Sequence, residues 1–233
     1  MNEPVAAPRR NLTGAIVPAL ALAGLVAAGA LFLAGRGGAE KGVSQAPPAN
    51  CILENADAVG GPIDLVDANG RRVTQADFEG APAVIYFGFT RCPDVCPTSM
   101  YALAEALAEP NGYDVRPVLI TVDPARDTPA VMGAYAQTDG FPPGLMGLSG
   151  SEGQVEAAKR AFQVYSARVA RPNDPPGMYN VDHSSLLYVM DAQWRTVAIA
   201  PTMRRSDPAD SRSPMVATTP ADLAACIAAG LEG

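Results

Sequence analysis

The chain has 233 residues, 48% of them apolar, enough for one core-bearing domain with extensions. It carries 17 basic against 24 acidic residues, a net charge of −7, which argues against a nucleic-acid partner because phosphates need a basic face. Four cysteines are too few for a disulfide scaffold at this length.

Arg9 and Arg10 precede a charge-free run of 24 residues, Leu12 to Gly35. As a helix this run crosses a bilayer core of ~30 Å. Three other readings compete with a span. A buried soluble helix is rarely uncharged for so long. A cleaved signal peptide has a small-residue site at Ala28-Gly29-Ala30. A lipoprotein signal lacks its cysteine after Leu33-Ala34-Gly35. The segment is read as an uncleaved anchor over 12–35, with 1–11 cytoplasmic. Residues 36–50 are Gly-, Ala- and Pro-containing without periodicity and read as a tether. The folded domain is expected over 51–233.

Within the domain, Ile63 to Val66 and Arg72 to Thr74 flank Asp67-Ala68-Asn69-Gly70, an Asn-Gly hairpin signal. Gln75 to Glu79 reads as a short polar turn. Ala83 to Phe87 is a continuous apolar run, the mark of a strand buried on both faces. Pro97 to Ala108 places Met100, Leu103, Ala104 and Leu107 at helical spacing, with Pro first and Asn111-Gly112 as the stop. Arg116 to Val122 is a second buried strand. Thr128-Pro129 caps and opens a helix to about Thr138. Ser151 to Ala167 reads as a third helix. Ser185 to Met190 and Thr196 to Ala200 are strands, and Pro220 to Leu231 is a closing helix. Strands alternating with helices imply an α/β sheet covered on both faces. The order matches a thioredoxin-like fold with an added N-terminal β-hairpin, preceded by one transmembrane helix.

Cys92 and Cys96 lie on the turn between the Ala83 strand and the Pro97 helix. A helix N-terminus favours thiolate, the form needed for metal ligation and for attack on a disulfide. A thioredoxin-type redox motif has two residues between its cysteines, and here there are three. The wider bite suits two sulfurs converging on a metal, although a disulfide remains within reach. His183, the only histidine, precedes the Ser185 strand, and in a thioredoxin-like sheet that loop faces the cysteine turn. Two thiolates and one imidazole form a soft, low-coordinate set, which selects Cu(I) and also accepts Cu(II). Zinc would normally take a fourth ligand in a structural site. Asp182 is a candidate to steer the imidazole.

These segments resemble the Sco/SenC family of copper-binding cytochrome c oxidase assembly proteins. The resemblance rests on Gly60-Gly61-Pro62, on Tyr86 to Pro97 with both cysteines, on Thr121 to Pro129, and on Val181-Asp182-His183-Ser184. It covers most of residues 58–200. It implies copper held by Cys92, Cys96 and His183 in a membrane-anchored domain facing the bacterial periplasm or the mitochondrial intermembrane space. The partners it implies are subunit II of the oxidase, whose binuclear copper centre needs metal and reduced cysteines, and a second periplasmic copper chaperone. A copper metallochaperone is therefore expected. The rival is a thiol-disulfide oxidoreductase in which Cys92 and Cys96 are catalytic, and a third reading is a redox or copper sensor.

Other residues have open roles. Asp123, Arg126 and Asp127 read as a structural loop and helix start or as part of a docking surface. Cys51 and Cys226 are the remaining pair for a bridge, or else a free thiol and a small buried apolar residue. Arg168 to Val181, with Met178 and Tyr179, is a Pro-rich loop read as a partner-recognition or lid element able to move His183. Pro201 to Pro220, with Met203 and Met215, is read as a surface loop, with auxiliary copper capture by the soft methionines of these two loops as the alternative.

Overall fold

A computed structural model describes residues 48, 50–108, 114–170, 175 and 178–233. The anchor expected over 12–35, most of the tether and the Asn111-Gly112 stop lie outside them. Gln45–Gly233 is one compact unit, and among the described residues no helix is long and apolar enough to cross a membrane.

The hairpin comes first. β1 (Asp64–Val66) and β2 (Arg72–Thr74) pair antiparallel, with Leu65 opposite Val73. The Asp67 carboxylate accepts from the amides of Asn69 and Arg71, and Gly70 adopts the positive φ (78°) that closes the turn. A 3-10 turn, Gln75–Asp77, leads to β3 (Ala83–Gly88), every residue of which is buried. Burying side chains such as Val84, Ile85 and Phe87 contributes about 1.5–3 kcal/mol each. α1 spans Val95–Ala108 and so starts two residues before the expected Pro97. The Thr98 amide bonds the Asp94 carbonyl at 3.1 Å, and Pro97 falls in the first turn, where its missing N–H costs nothing.

β4 (Arg116–Thr121) runs parallel to β3, and α2 (Pro129–Ala136) follows the Thr128 cap, whose hydroxyl accepts from Val131. A strand not expected from sequence, β5 (Met146–Leu148), lies parallel to β4. α3 (Glu152–Ala161) opens with a Ser151–Gln154 capping box and ends six residues before the expected Ala167. Gln163 turns to φ 52°, and the chain continues as β6 (Ser166–Val169). β6 pairs antiparallel with β7 (Asn180–His183), so the expected loop is anchored in a hairpin. β8 (Leu186–Met190) and β9 (Thr196–Pro201) follow. The stretch expected as a surface loop contains another hairpin, β10 (Met203–Arg205) and β11 (Met215–Ala217), before α4 (Pro220–Glu232).

The main sheet has the order β5-β4-β3-β8-β9, with β3, β4 and β5 parallel and β8 and β9 antiparallel. Side chains alternate across β3. Phe87 packs on Phe162 and Tyr188 on one face, while Tyr86 and Gly88 look toward Cys96 in α1 on the other. α4 lies against α1, β8 and β9. This is the thioredoxin-like α/β arrangement, with β3 at its centre. Cys51 and Cys226 are disulfide-bonded, with Cα atoms 5.5 Å apart, which settles the pairing the sequence left open. The adjoining Ile52 exchanges two backbone hydrogen bonds with Ile199 of β9, at 3.0 and 2.9 Å.

Candidate metal centre

β3 delivers the chain into the turn Phe89-Thr90-Arg91-Cys92. That turn is fixed by a buried carboxylate: Asp127 accepts from the Thr90 amide (3.1 Å), the Thr90 hydroxyl (2.6 Å) and the Thr121 hydroxyl (2.8 Å). An unpartnered buried carboxylate is strongly unfavourable, and these three bonds offset that cost. Asp127 thus has the structural role among its two readings. It ties the cysteine turn to the end of β4.

Cys92 sits half-buried in the turn, and Cys96 is fully buried in the first turn of α1. The Cys96 amide donates to Cys92 Sγ at 3.3 Å. His183 closes the group: its Nε2 lies 3.4 Å from Cys96 Sγ, and the three potential ligand atoms all fall within 4.8 Å of one another. The imidazole is the last residue of β7, not part of a loop entering β8 as the sequence reading had it. Its Nδ1 is 2.9 Å from the Ser184 carbonyl. A carbonyl only accepts, so Nδ1 donates to it, and Nε2 is the ring nitrogen that faces the two sulfurs. Asp182 does not orient the ring. It is exposed, and alternation along β7 turns it to the other side of the strand from His183. The edges and faces of Tyr86 and Phe89 meet the imidazole at centroid distances of 6.0 and 5.7 Å.

The two sulfurs are electrostatically unlike. The Cys96 thiol donating to Cys92 holds the Cys92 thiol down at about 4, against the opposing effect of burial and with help from His183 and the amides of Asp94 and Cys96. Burial, and then the neighbouring Cys92, push Cys96 well above the ordinary thiol range. At neutral pH the pair is one thiolate and one thiol. The donor set is two soft sulfurs and one imidazole nitrogen, converging on one another, and it is able to hold a soft metal ion.

A protein-family model described as SCO1/SenC matches residues 53–213. The chain belongs to the SCO1/SenC family. It is 41% identical over 143 residues to an SCO2-like protein of Rickettsia felis, covering 60% of this chain and 68% of that protein. Among solved structures it is similar to copper-bound ScoI of Arabidopsis thaliana (37% identity, TM-score 0.56, 61% of this chain and 87% of that one). It is also similar to copper-bound ScoI of Bradyrhizobium japonicum (36% identity, TM-score 0.55, 72% of this chain and 97% of that one).

The structure brings together the three residues that the sequence singles out, within surroundings that the sequence does not signal. Ser184 has no side-chain signal for its role, because the carbonyl acts. Gly88 is read only from packing: a Cβ there would stand 2.9 Å from the Tyr86 ring and 3.1 Å from Cys96 Sγ. Arg126 and Tyr179 carry no joint signal in the sequence, yet Arg126 donates to the Tyr179 carbonyl at 2.9 Å across 53 positions. Of the methionines, Met178 and Met215 are exposed, and Met203 and Met215 belong to the β10–β11 hairpin.

Proposed function

We propose that this chain is a copper metallochaperone that matures the binuclear copper centre of cytochrome c oxidase subunit II, with Cys92, Cys96 and His183 holding the copper cargo. The observation that carries the reading is the convergence of the three donor atoms, with Nε2 of the imidazole turned toward the sulfurs. Relatives of 36–37% identity with copper bound support the choice of metal, and Sco-family proteins serve oxidase assembly. The domain would work in the periplasm or the mitochondrial intermembrane space, held to the membrane by residues 12–35 and loaded by a second copper chaperone. Cys92 is ready as a thiolate, whereas Cys96 must release its proton when copper enters. The buried position of Cys96 keeps water from competing for the ion. The half-exposed Cys92 is where an incoming ligand of the partner would begin exchange.

The same asymmetry favours a second reading, reduction of the partner's cysteines. The Cys92 thiolate would attack one sulfur of a partner disulfide, forming a mixed disulfide and expelling the other sulfur as thiolate. Cys96, deprotonated, would then attack Cys92 Sγ. The partner leaves as a dithiol, and this chain ends with a Cys92–Cys96 disulfide. One experiment separates the two. Copper-loaded protein is mixed with metal-free, pre-reduced subunit II. Appearance of the binuclear copper spectrum with matching loss from the donor supports transfer. Maturation of oxidised subunit II by free copper plus the metal-free protein, with no transfer from the loaded protein, supports reduction alone.

A further inference from the structure

His183 is mounted differently from the cysteines. β6 and β7 form a two-stranded sheet of their own, outside the five-stranded sheet that supports Cys92 and Cys96. Tyr165 and Ser184 exchange hydrogen bonds within this hairpin, which do not hold it to the rest of the domain. Val181 of β7 is buried in the core, and the polar fastening comes from Asp123 and Arg126, in the segment between β4 and α2. Asp123 is 1% exposed, and its amide donates to Thr121 Oγ1. Its carboxylate pairs with Arg126 Nε and accepts from the Tyr179 hydroxyl at 2.8 Å. Arg126 in turn donates to the Tyr179 carbonyl, and its guanidinium carbon lies 3.7 Å from the centre of the Tyr179 ring. Tyr179, the residue just before β7, is therefore gripped at its ring, its hydroxyl and its backbone. Arg126 also lies over the Phe89 ring at 5.9 Å, the same ring that meets the imidazole. Arg168 of β6 adds a longer contact to Asp123, at 3.9 Å.

We propose that Arg126 and Tyr179 are positioning residues that latch the β6–β7 hairpin to the domain and so hold His183 over the two thiols before metal arrives. The inference rests on the reading of His183 as a copper ligand, but the latch acts in the metal-free protein. Without it, two thiolates still face the ion while the third donor is no longer held in place. A ligand held in place ahead of binding saves its ordering entropy at the moment of binding. Loss of such supporting contacts typically weakens metal affinity by about 10–100-fold.

The test compares wild type with Arg126→Met, which keeps the apolar stem, and with Tyr179→Leu and Tyr179→Phe. Amide hydrogen exchange is measured on the metal-free proteins, and copper affinity and imidazole-nitrogen hyperfine coupling are measured on the Cu(II)-loaded ones. Arg126→Met and Tyr179→Leu should speed exchange across 180–183 by roughly tenfold or more, leave β3 and α1 protected, and weaken copper by about 10–100-fold with a diminished nitrogen signal. Tyr179→Phe, which removes only the hydroxyl, should give a smaller acceleration of about fivefold. Wild-type exchange at 180–183 in all three variants overturns the latch, as does exchange that rises equally throughout the domain. Copper affinity within twofold of wild type in Arg126→Met and Tyr179→Leu overturns its role in positioning His183. If wild type itself bound no copper, the metallochaperone reading would fail, and the exchange measurement would still decide whether the latch exists.

Discussion

Cys51 and Cys226 stand 175 residues apart and are bonded, whereas Cys92 and Cys96 stand four apart and remain thiols. The distant pair acts mainly on the unfolded chain, by closing a long loop. The close pair restrains almost no chain, so bonding it would contribute little stability. Its sulfurs instead have opposite protonation, one held down by hydrogen bonds and one pushed up by burial. The two pairs thus differ in task, one a fastening and one a chemical site, and it is the surroundings of each sulfur that make the assignment.

That separation is testable by double dissociation. Replacing both Cys51 and Cys226 with serine should cost about 5 kcal/mol of unfolding free energy, read by denaturant titration, with copper stoichiometry unchanged. Cys96→Ser should do the reverse, with copper affinity falling at least ~100-fold in a competition assay and only a small change in melting temperature. A comparable stability loss from both substitutions would erase the contrast. Gly88→Ala joins the two halves of the comparison, because its methyl meets both the Tyr86 ring and Cys96 Sγ. Overpacking there should cost about 1–3 kcal/mol and weaken copper binding several-fold.

The contrast between the two sulfurs also sets a pH dependence. Cys92, with its pKa lowered, is already ionised at neutral pH, whereas Cys96, with its pKa raised, is still protonated. Binding through both sulfurs therefore releases the Cys96 proton. Affinity should rise with pH, improving about tenfold per unit through neutrality from this one group. Proton release measured with an indicator dye checks the count. Binding that released no proton would mean that Cys96 stays protonated and does not ligate. In the metal-free protein, alkylation of Cys92 should stay near its full rate down to about pH 5, with Cys96 protected by burial.

Much of this was legible in sequence where a residue type carries its own local signal. The apolar run of β3, the Asn-Gly turn, the Thr128 cap and the two cysteines and histidine that the fold brings together all have such signals. The failures came where the decisive contact is distant or made by the backbone. Helix α3 was read through to Ala167 because nothing before Gln163 breaks the pattern. The break is a left-handed backbone at Gln163, a residue type with no preference for it. The β10–β11 hairpin was read as loop because its strands are three residues each, too short to show alternation. Asp182 looked like the partner of His183 because it is adjacent, yet adjacent strand residues point to opposite sides, and the carbonyl of Ser184 was the partner instead. The grip of Arg126 on Tyr179 spans segments whose meeting depends on the whole fold.

The two hydrogen bonds between Ile52 and Ile199 have a further consequence. β9 is the outermost strand of the main sheet, and its free side is a template on which another chain could add a strand. Ile52 covers part of that side, and the neighbouring Cys51–Cys226 bond keeps it there. Reducing the bond therefore frees a stopper at the sheet margin. The reduced protein should self-associate through β9 more readily than the oxidised protein, which makes the bond a guard of the sheet margin as well as of the fold.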